Sequence, residues 1–228
     1  MFNMTDAGYP PFMIPAEDGQ PAGGIMLDVV RAILKKREIT VETLAVPKNR
    51  ELRYFESGDL DAHATAREWV PDPDAFAFTD PVLMVRNVII TRRDSDLRFT
   101  KIDDLFGMRV IAHLGFVYPP LSTHFASGRI TRIDTIDESS MLKMVLSDRG
   151  DGAIMNDAVG MWLIRQHHMN GKFTLSDAAV TEFGYRVMFA KKWQPLVVFF
   201  DREMKRMRQT GELDVIFHRY GYYPPGNA

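Results

Sequence analysis

Apolar residues along this chain switch repeatedly between a two-residue and a 3.6-residue period, and that switching limits the possible folds more than any other feature. A period of two buries one face of a strand, and a period of 3.6 buries one stripe of a helix, so their alternation is the pattern of an α/β protein. Residues 24–37 carry Ile25, Leu27, Val29, Val30, Ile33 and Leu34 at helical spacing. Lys35-Lys36-Arg37 follows at the end where cations suit the helix dipole. Residues 39–46 alternate as a half-buried strand, Asn49 is placed to cap a short helix ending at Gly58, and 61–65 is a short strand. Further strands are predicted over 82–91, 108–112, 130–134, 153–155 and 184–190. Helices are predicted over 117–127, 138–148, 157–168, 195–210 and 212–220, with a helical turn at 101–107.

Two βα-rich blocks result, joined by extended segments near 87–93 and 182–190, and the C-terminal helices return to the first block. The expected lobes are residues 1–90 with 190–228, and residues 91–189. A chain that crosses twice between lobes makes a two-strand hinge, which permits rigid-body closure.

Composition narrows the function. The 228 residues suffice for one large or two small domains, and a core of that size needs no covalent staples. A formal charge of −2 leaves no basic footprint for nucleic acid. No apolar run approaches the roughly 18 residues that span a bilayer. There is no cysteine, which removes disulfides, thiolate metal sites and cysteine nucleophiles. The N-terminus lacks a basic and an apolar region of the signal-peptide kind, so a leader is expected to lie outside this sequence. The histidines His63, His113, His124, His167, His168 and His218 have no metal-ligand spacing with a partnered carboxylate. There is no phosphate-cradling glycine loop and no nucleophile elbow. Neither a cofactor nor a metal is expected.

Short marks stand in order along nearly the whole chain, among them Asp6-Ala-Gly-Tyr9-Pro-Pro-Phe12, Gly24-Ile-Met-Leu-Asp28 and Gly58-Asp-Leu-Asp61-Ala, and together they resemble the family 3 extracellular solute-binding proteins, the receptors that deliver polar amino acids to ABC importers. Asp6-Ala-Gly-Tyr9-Pro-Pro-Phe12 resembles their opening motif, and Gly24-Ile-Met-Leu-Asp28 the start of their first helix. Gly58-Asp-Leu-Asp61-Ala, Phe78-Thr-Asp-Pro81, Asp104-Leu-Phe-Gly107 with Val110, Arg149-Gly-Asp151-Gly-Ala, and Gly211 with Ile216 and Tyr220 are similar to later marks. The resemblance implies the type II periplasmic-binding-protein fold: two α/β lobes, a two-strand hinge and a ligand cleft between the lobes. It also implies a periplasmic or extracellular monomer that binds a small polar solute without turnover and hands it to an ABC permease.

Carried over residue by residue, the resemblance puts Asp6, Tyr9 and Phe12 at the cleft edge of lobe one. There, aromatic faces sandwich a ligand and a carboxylate orients a cation. It implies ligand contacts at Arg50, Thr65, Arg67 and Trp69 in the same lobe, and at Tyr118, Asn156 and Asp157 in lobe two. The departures are informative. The arginine that grips an amino-acid carboxylate is missing at its usual distance, and Arg67 is the nearest substitute; its bland alternative is a surface pair with Glu68 or Asp72. The hydroxyls expected after Gly115 are replaced by Phe116-Val-Tyr118-Pro-Pro, leaving backbone amides and Tyr118 to serve. Asn156 stands where the family's ammonium-binding aspartate falls by count from Asp151, with Asp157 next. Asp157 also suits the N-cap of the following helix, and that reading is favoured. Lys48, Asn49, Arg50 and Arg67 tilt the expectation toward an anionic or hydroxyl-rich solute. Two rivals share the fold: a cyclohexadienyl-dehydratase-like enzyme with Glu182 or His113 as general acid, and the ligand-sensing input domain of a membrane receptor.

Overall fold

The computed structural model describes residues 1–6, 8–17 and 19–224. In chain order its elements are β1 (Phe2–Asn3), α1 (Ile25–Leu34), β2 (Thr43–Leu44), α2 (Glu51–Ser57), β3 (Ala62–Ala66), β4 (Phe76–Phe78) and β5 (Leu83–Arg92). Next come β6 (Arg109–His113), α3 (Pro119–Ala126), β7 (Thr131–Thr135), α4 (Glu138–Leu146), β8 (Gly152–Asn156) and α5 (Asp157–Gln166). The chain closes with β9 (Phe173–Ala190), α6 (Gln194–Gln209) and α7 (Glu212–Arg219).

The chain divides into two units, Met1–Met84 with Phe183–Ala228, and Val85–Glu182. Both divisions fall inside strands, β5 and β9, each of which runs from one unit into the other. A continuous strand carries no composition shift to mark a division, and these fall a few residues before the lobe boundaries expected at 90/91 and 189/190.

In the first unit the sheet order is β2-β1-β3-β9, with β4 also pairing β9. The β1–β2 and β1–β3 pairs are parallel, whereas β9 runs antiparallel to β3 and β4. The expected strand over 39–46 shrinks to Thr43–Leu44 because β1 offers just Phe2 and Asn3 as partners. α1 buries Ile25, Met26, Leu27, Val29, Val30, Ile33 and Leu34. The C-terminal helices return here. Tyr220 Oη donates to Asp28 at 2.8 Å and accepts the N–H of Gly24 at 2.9 Å, while Arg219 pairs with Asp28 at 2.7 Å. The end of α7 is thereby fastened to the start of α1.

In the second unit the order is β5-β8-β6-β7. β6 is parallel to β7 and β8, and β5 is antiparallel to β8. Consecutive residues of these strands enter opposite cores: Ile90, Ile111, Ala153 and Met155 pack with α4, and Ile89, Val110, Ala112 and Ile154 pack with Leu121 and Ile130. Burial on both faces is why these strands read as apolar runs rather than alternating ones. β9 begins at Phe173, well before the expected start at 184. Its first half, with Ser176, Asp177 and the pair Ala178-Ala179, lacks strand periodicity. It is held by β5 instead, through Asn87 Nδ2 to Thr181 Oγ1 at 2.8 Å and the Ile89 N–H to Ser176 Oγ at 3.0 Å. Among the described residues, no helix is long and apolar enough to cross a membrane.

Candidate functional site

In α/β sheets, ligands gather beyond the C-terminal ends of parallel strands. In the first unit that edge is built by β1, β3 and the start of α2. Asn3 and His63 are direct neighbours across the β1–β3 pair, and Glu51 opens α2. Asn3 Oδ1 accepts the N–H groups of Thr5 at 2.9 Å and Val46 at 3.0 Å, which fixes the amide so that Nδ2 donates to Glu51 Oε1 at 3.1 Å. His63 Nδ1 lies 3.3 Å from the same oxygen. Burial pushes the His63 imidazole below its ordinary value, against the opposing pull of Glu51. None of the three was singled out for a binding role from the sequence. The signal was present in part: His63 and Thr65 are the two polar residues of a strand whose five residues are all buried.

An aromatic group lies in the same unit. Tyr9 and Phe12 have ring centroids 5.5 Å apart, and Phe12 sits 5.2 Å from Tyr185. Trp69 packs against Phe183 at 5.9 Å and Tyr185 at 6.0 Å, yet remains 37% exposed. Phe12, expected at the cleft edge, is fully buried. Its ring therefore supports Tyr9 and Tyr185 and presents no outward face. Tyr9 is half-buried and Asp6 is exposed. Thr65 is buried and its hydroxyl donates to the Ala66 carbonyl at 3.3 Å. Arg50 is exposed at the entrance to α2. Arg67 pairs with Asp74, at 2.6 Å, rather than with Glu68 or Asp72, and its guanidinium lies 5.3 Å from the Phe78 ring centre. Both charged groups are exposed, at 45% and 87%. Such a pair is worth only about 0.2–1 kcal/mol, so it does not commit Arg67 to this partner.

The second unit departs from expectation at both of its candidate helix starts, those of α3 and α5. Tyr118 is 4% exposed, packed in the core around Ile89 and Val110, and burial pushes its hydroxyl up to about 12. It does not replace the missing hydroxyls. α3 begins with Pro119 and Pro120, neither of which has an N–H, so the helix start lacks two of the donors an anion would use. The preceding loop is pinned by Arg132, which donates to the His113 carbonyl at 3.1 Å and the Phe116 carbonyl at 3.0 Å. Leu114, Phe116 and Val117 are left exposed.

At the head of α5, Asn156, not Asp157, is the N-cap; its Oδ1 accepts the N–H of Val159 at 3.1 Å. The expected cap is thus reversed: Asn156 caps the helix and Asp157 is its first residue. Asp157 pairs with Arg86 at 3.4 Å and also accepts the Ala158 N–H at 2.7 Å. Burial raises the Asp157 carboxyl, with Glu182 adding to the rise and the Ala158 N–H and Arg86 opposing it. His113 Nδ1 lies 2.9 Å from the Leu114 carbonyl, and Nε2 lies 3.7 Å from Glu138, while Glu182 is exposed. Among the described residues, no group of His, Asp or Glu is arranged to hold a metal ion.

Comparison with known proteins places these features in a family. The family model described as bacterial extracellular solute-binding proteins, family 3, matches residues 3–222. The arginine-binding extracellular protein ArtP of Bacillus subtilis (strain 168) is 24% identical over 212 residues, covering 92% of this chain and 81% of that protein. Among solved structures, an ancestral cationic amino acid solute-binding protein superposes with a TM-score of 0.78 at 17% identity, covering 96% of this chain and 94% of the other. A histidine kinase sensor domain with similarity to periplasmic binding proteins superposes with a TM-score of 0.74 at 21% identity, covering 98% and 96%.

Proposed function

The chain belongs to the bacterial extracellular solute-binding proteins of family 3, and on that premise we propose that it binds a small polar solute of the amino-acid type and delivers it to an ABC permease. The match over residues 3–222 carries this reading, since it spans both units and both connecting strands. The fold is the type II periplasmic-binding-protein fold. In the proposed mechanism the two connecting strands act as a hinge, and a solute that contacts both units shifts the population toward the closed arrangement. The protein works outside the cytoplasm, as a monomer, and releases its solute chemically unchanged.

The proposed contacts are Tyr9 and Trp69 for the body of the solute, with Asp6, Arg50 and Thr65 at its margin. Arg67 supplies the oxyanion contact. Its exchange of Asp74 for a solute carboxylate is favourable because an exposed pair is worth about 0.2–1 kcal/mol, whereas a buried hydrogen-bonded charge pair loses about 2–5 kcal/mol when broken. The two prolines opening α3 support placing that carboxylate on Arg67 rather than on the second unit's helix start. Asp157 and Asn156 supply the polar contacts of the second unit. Phe12 and Tyr118 act as supports for the binding surfaces.

A thermal-shift screen of the twenty L-amino acids, with dicarboxylates as a comparison set, tests this proposal. A ligand at about 100 times its dissociation constant adds roughly 2.7 kcal/mol of stability. At least one L-amino acid is expected to raise the melting temperature, and Arg67→Ala is expected to abolish that rise. A screen in which no amino acid stabilises the protein removes the amino-acid reading.

A further inference from the structure

Glu51 is 8% exposed and uses one of its two carboxylate oxygens. Oε1 accepts from Asn3 and lies beside His63, while Oε2 has no hydrogen-bond partner and no Lys or Arg pairs with Glu51 among the described residues. His63 does not fill the role of counter-ion, because burial favours its neutral form. A carboxylate this buried normally has its charge matched, since an unmatched one carries a large desolvation cost. Arg186 Nε is the one fully buried side-chain polar atom without a partner among the described residues. The unused Glu51 oxygen is not fully buried, so it keeps some contact with solvent. Tyr185 adds a second, independent sign. It is 2% exposed, its hydroxyl has no partner among the described residues, and it too is absent from the fully buried unpartnered set. Burial chiefly, then Tyr9 and then Glu51 push that hydroxyl well above its ordinary value, which places Tyr185 within the field of the carboxylate.

We propose that Glu51, oriented by Asn3 and His63, is a recognition subsite in the first unit for a cationic nitrogen of the solute, an ammonium or a guanidinium. A neutral hydroxyl would satisfy one lone pair of Oε2, but it would leave the buried charge unmatched; a cation satisfies both. The subsite turns the expected tilt toward anionic solutes around. Arg67 retains the carboxylate end, and the solute that uses both is a basic amino acid.

The inference rests on the solute-binding reading, and its test separates the two. Isothermal titration is run with L-arginine, L-lysine, putrescine, L-citrulline and L-glutamate on the wild-type protein and on Glu51→Gln. The tightest wild-type binder is expected to be a basic compound, and Glu51→Gln is expected to weaken it by about 30-fold or more. A preference for L-citrulline or L-glutamate, or a Glu51→Gln affinity within about threefold of wild type, overturns the subsite. If none of these five compounds binds but another L-amino acid does, the subsite falls and the solute-binding reading stands; if no amino acid binds, both fall. Should Glu51→Gln fail to fold, the wild-type protein decides alone. L-Arginine or L-lysine at saturation must shift the His63 imidazole NMR signals, and binding that leaves them in place overturns the proposal.

Discussion

Asn156 Oδ1 accepts the backbone N–H of Val159 at 3.1 Å, so the neutral residue caps α5 and the neighbouring carboxylate of Asp157 is left to Arg86. The two residues therefore separate under mutation. Asn156→Ala removes the cap and is expected to destabilise the protein by about 1 kcal/mol, whereas Asn156→Asp restores an acceptor and stays near wild type. Urea denaturation of both variants measures the difference. Equal losses in the two would show that the side-chain acceptor is not what Asn156 contributes.

Asp201 provides a pH prediction. Burial, helped by Asp80 and opposed by the Asp80 N–H and by Arg186, raises its carboxyl from 3.8 to about 6. The folded state then holds a proton that the unfolded state has already released. The Asp201 contribution to stability accordingly falls as pH rises from about 4 to about 6. Moving a carboxyl from 3.8 to about 6 corresponds to roughly 3 kcal/mol, and partial solvent screening reduces that to about 1 kcal/mol. Asp201→Asn keeps an oxygen to accept the Asp80 N–H, which lies 2.8 Å away in the wild type. It is expected to be more stable than wild type at neutral pH and to lose this part of the pH dependence in unfolding experiments between pH 4 and 7.

His63 has the opposite sign. Its folded pKa lies below the ordinary 6.5 because burial disfavours the charged ring. The folded state binds fewer protons than the unfolded one below that value, so the His63 contribution is complete above 6.5 and declines as pH falls. An NMR titration of the imidazole is expected to give a midpoint below 6.5 in the unliganded protein. A midpoint at or above 6.5 would place the ring in a charged setting and weaken the account of Glu51.

Gly24 tests the start of α1. Its φ is 106°, and a Cβ there would stand 2.5 Å from the Phe12 carbonyl oxygen, a backbone atom that cannot swing aside. Gly24→Ala combines this clash with left-handed backbone strain and is expected to cost about 3 kcal/mol. Gly58 has φ 84° with nothing within 4 Å of a Cβ, so Gly58→Ala carries only the backbone term, about 1–2 kcal/mol. Chemical denaturation of the pair isolates the steric part.

The order of helices and strands was legible because most elements carry either an apolar face with its own period, as α1 does, or a short apolar run, as β6 does. The long β9 was not. Its first half is held by side-chain bonds from Asn87 and from the Ile89 amide to Ser176, which no local pattern encodes. Among the proposed contact residues, family resemblance singled out Tyr9, Arg67, Trp69 and Asp157, but it did not reveal their partners. Asp74 lies seven residues from Arg67, and Arg86 lies on a different strand from the element that carries Asp157. Phe12 and Tyr118 read as contact aromatics, yet a ring's outward or inward aim depends on neighbours such as Tyr185 and Arg132 that are far off in sequence. Glu51 was hidden for the same reason. Its meaning comes from Asn3 and His63, which reach it from two other elements.

The central claim is that this chain binds an amino-acid-type solute and returns it unaltered. Equilibrium titration with the L-amino acid that most raises the melting temperature, followed by recovery of that compound and its analysis by mass spectrometry, tests it most directly. The account predicts saturable binding of one molecule per chain and recovery of the same compound after prolonged incubation. Absence of saturable binding, or recovery of a converted product, would contradict it.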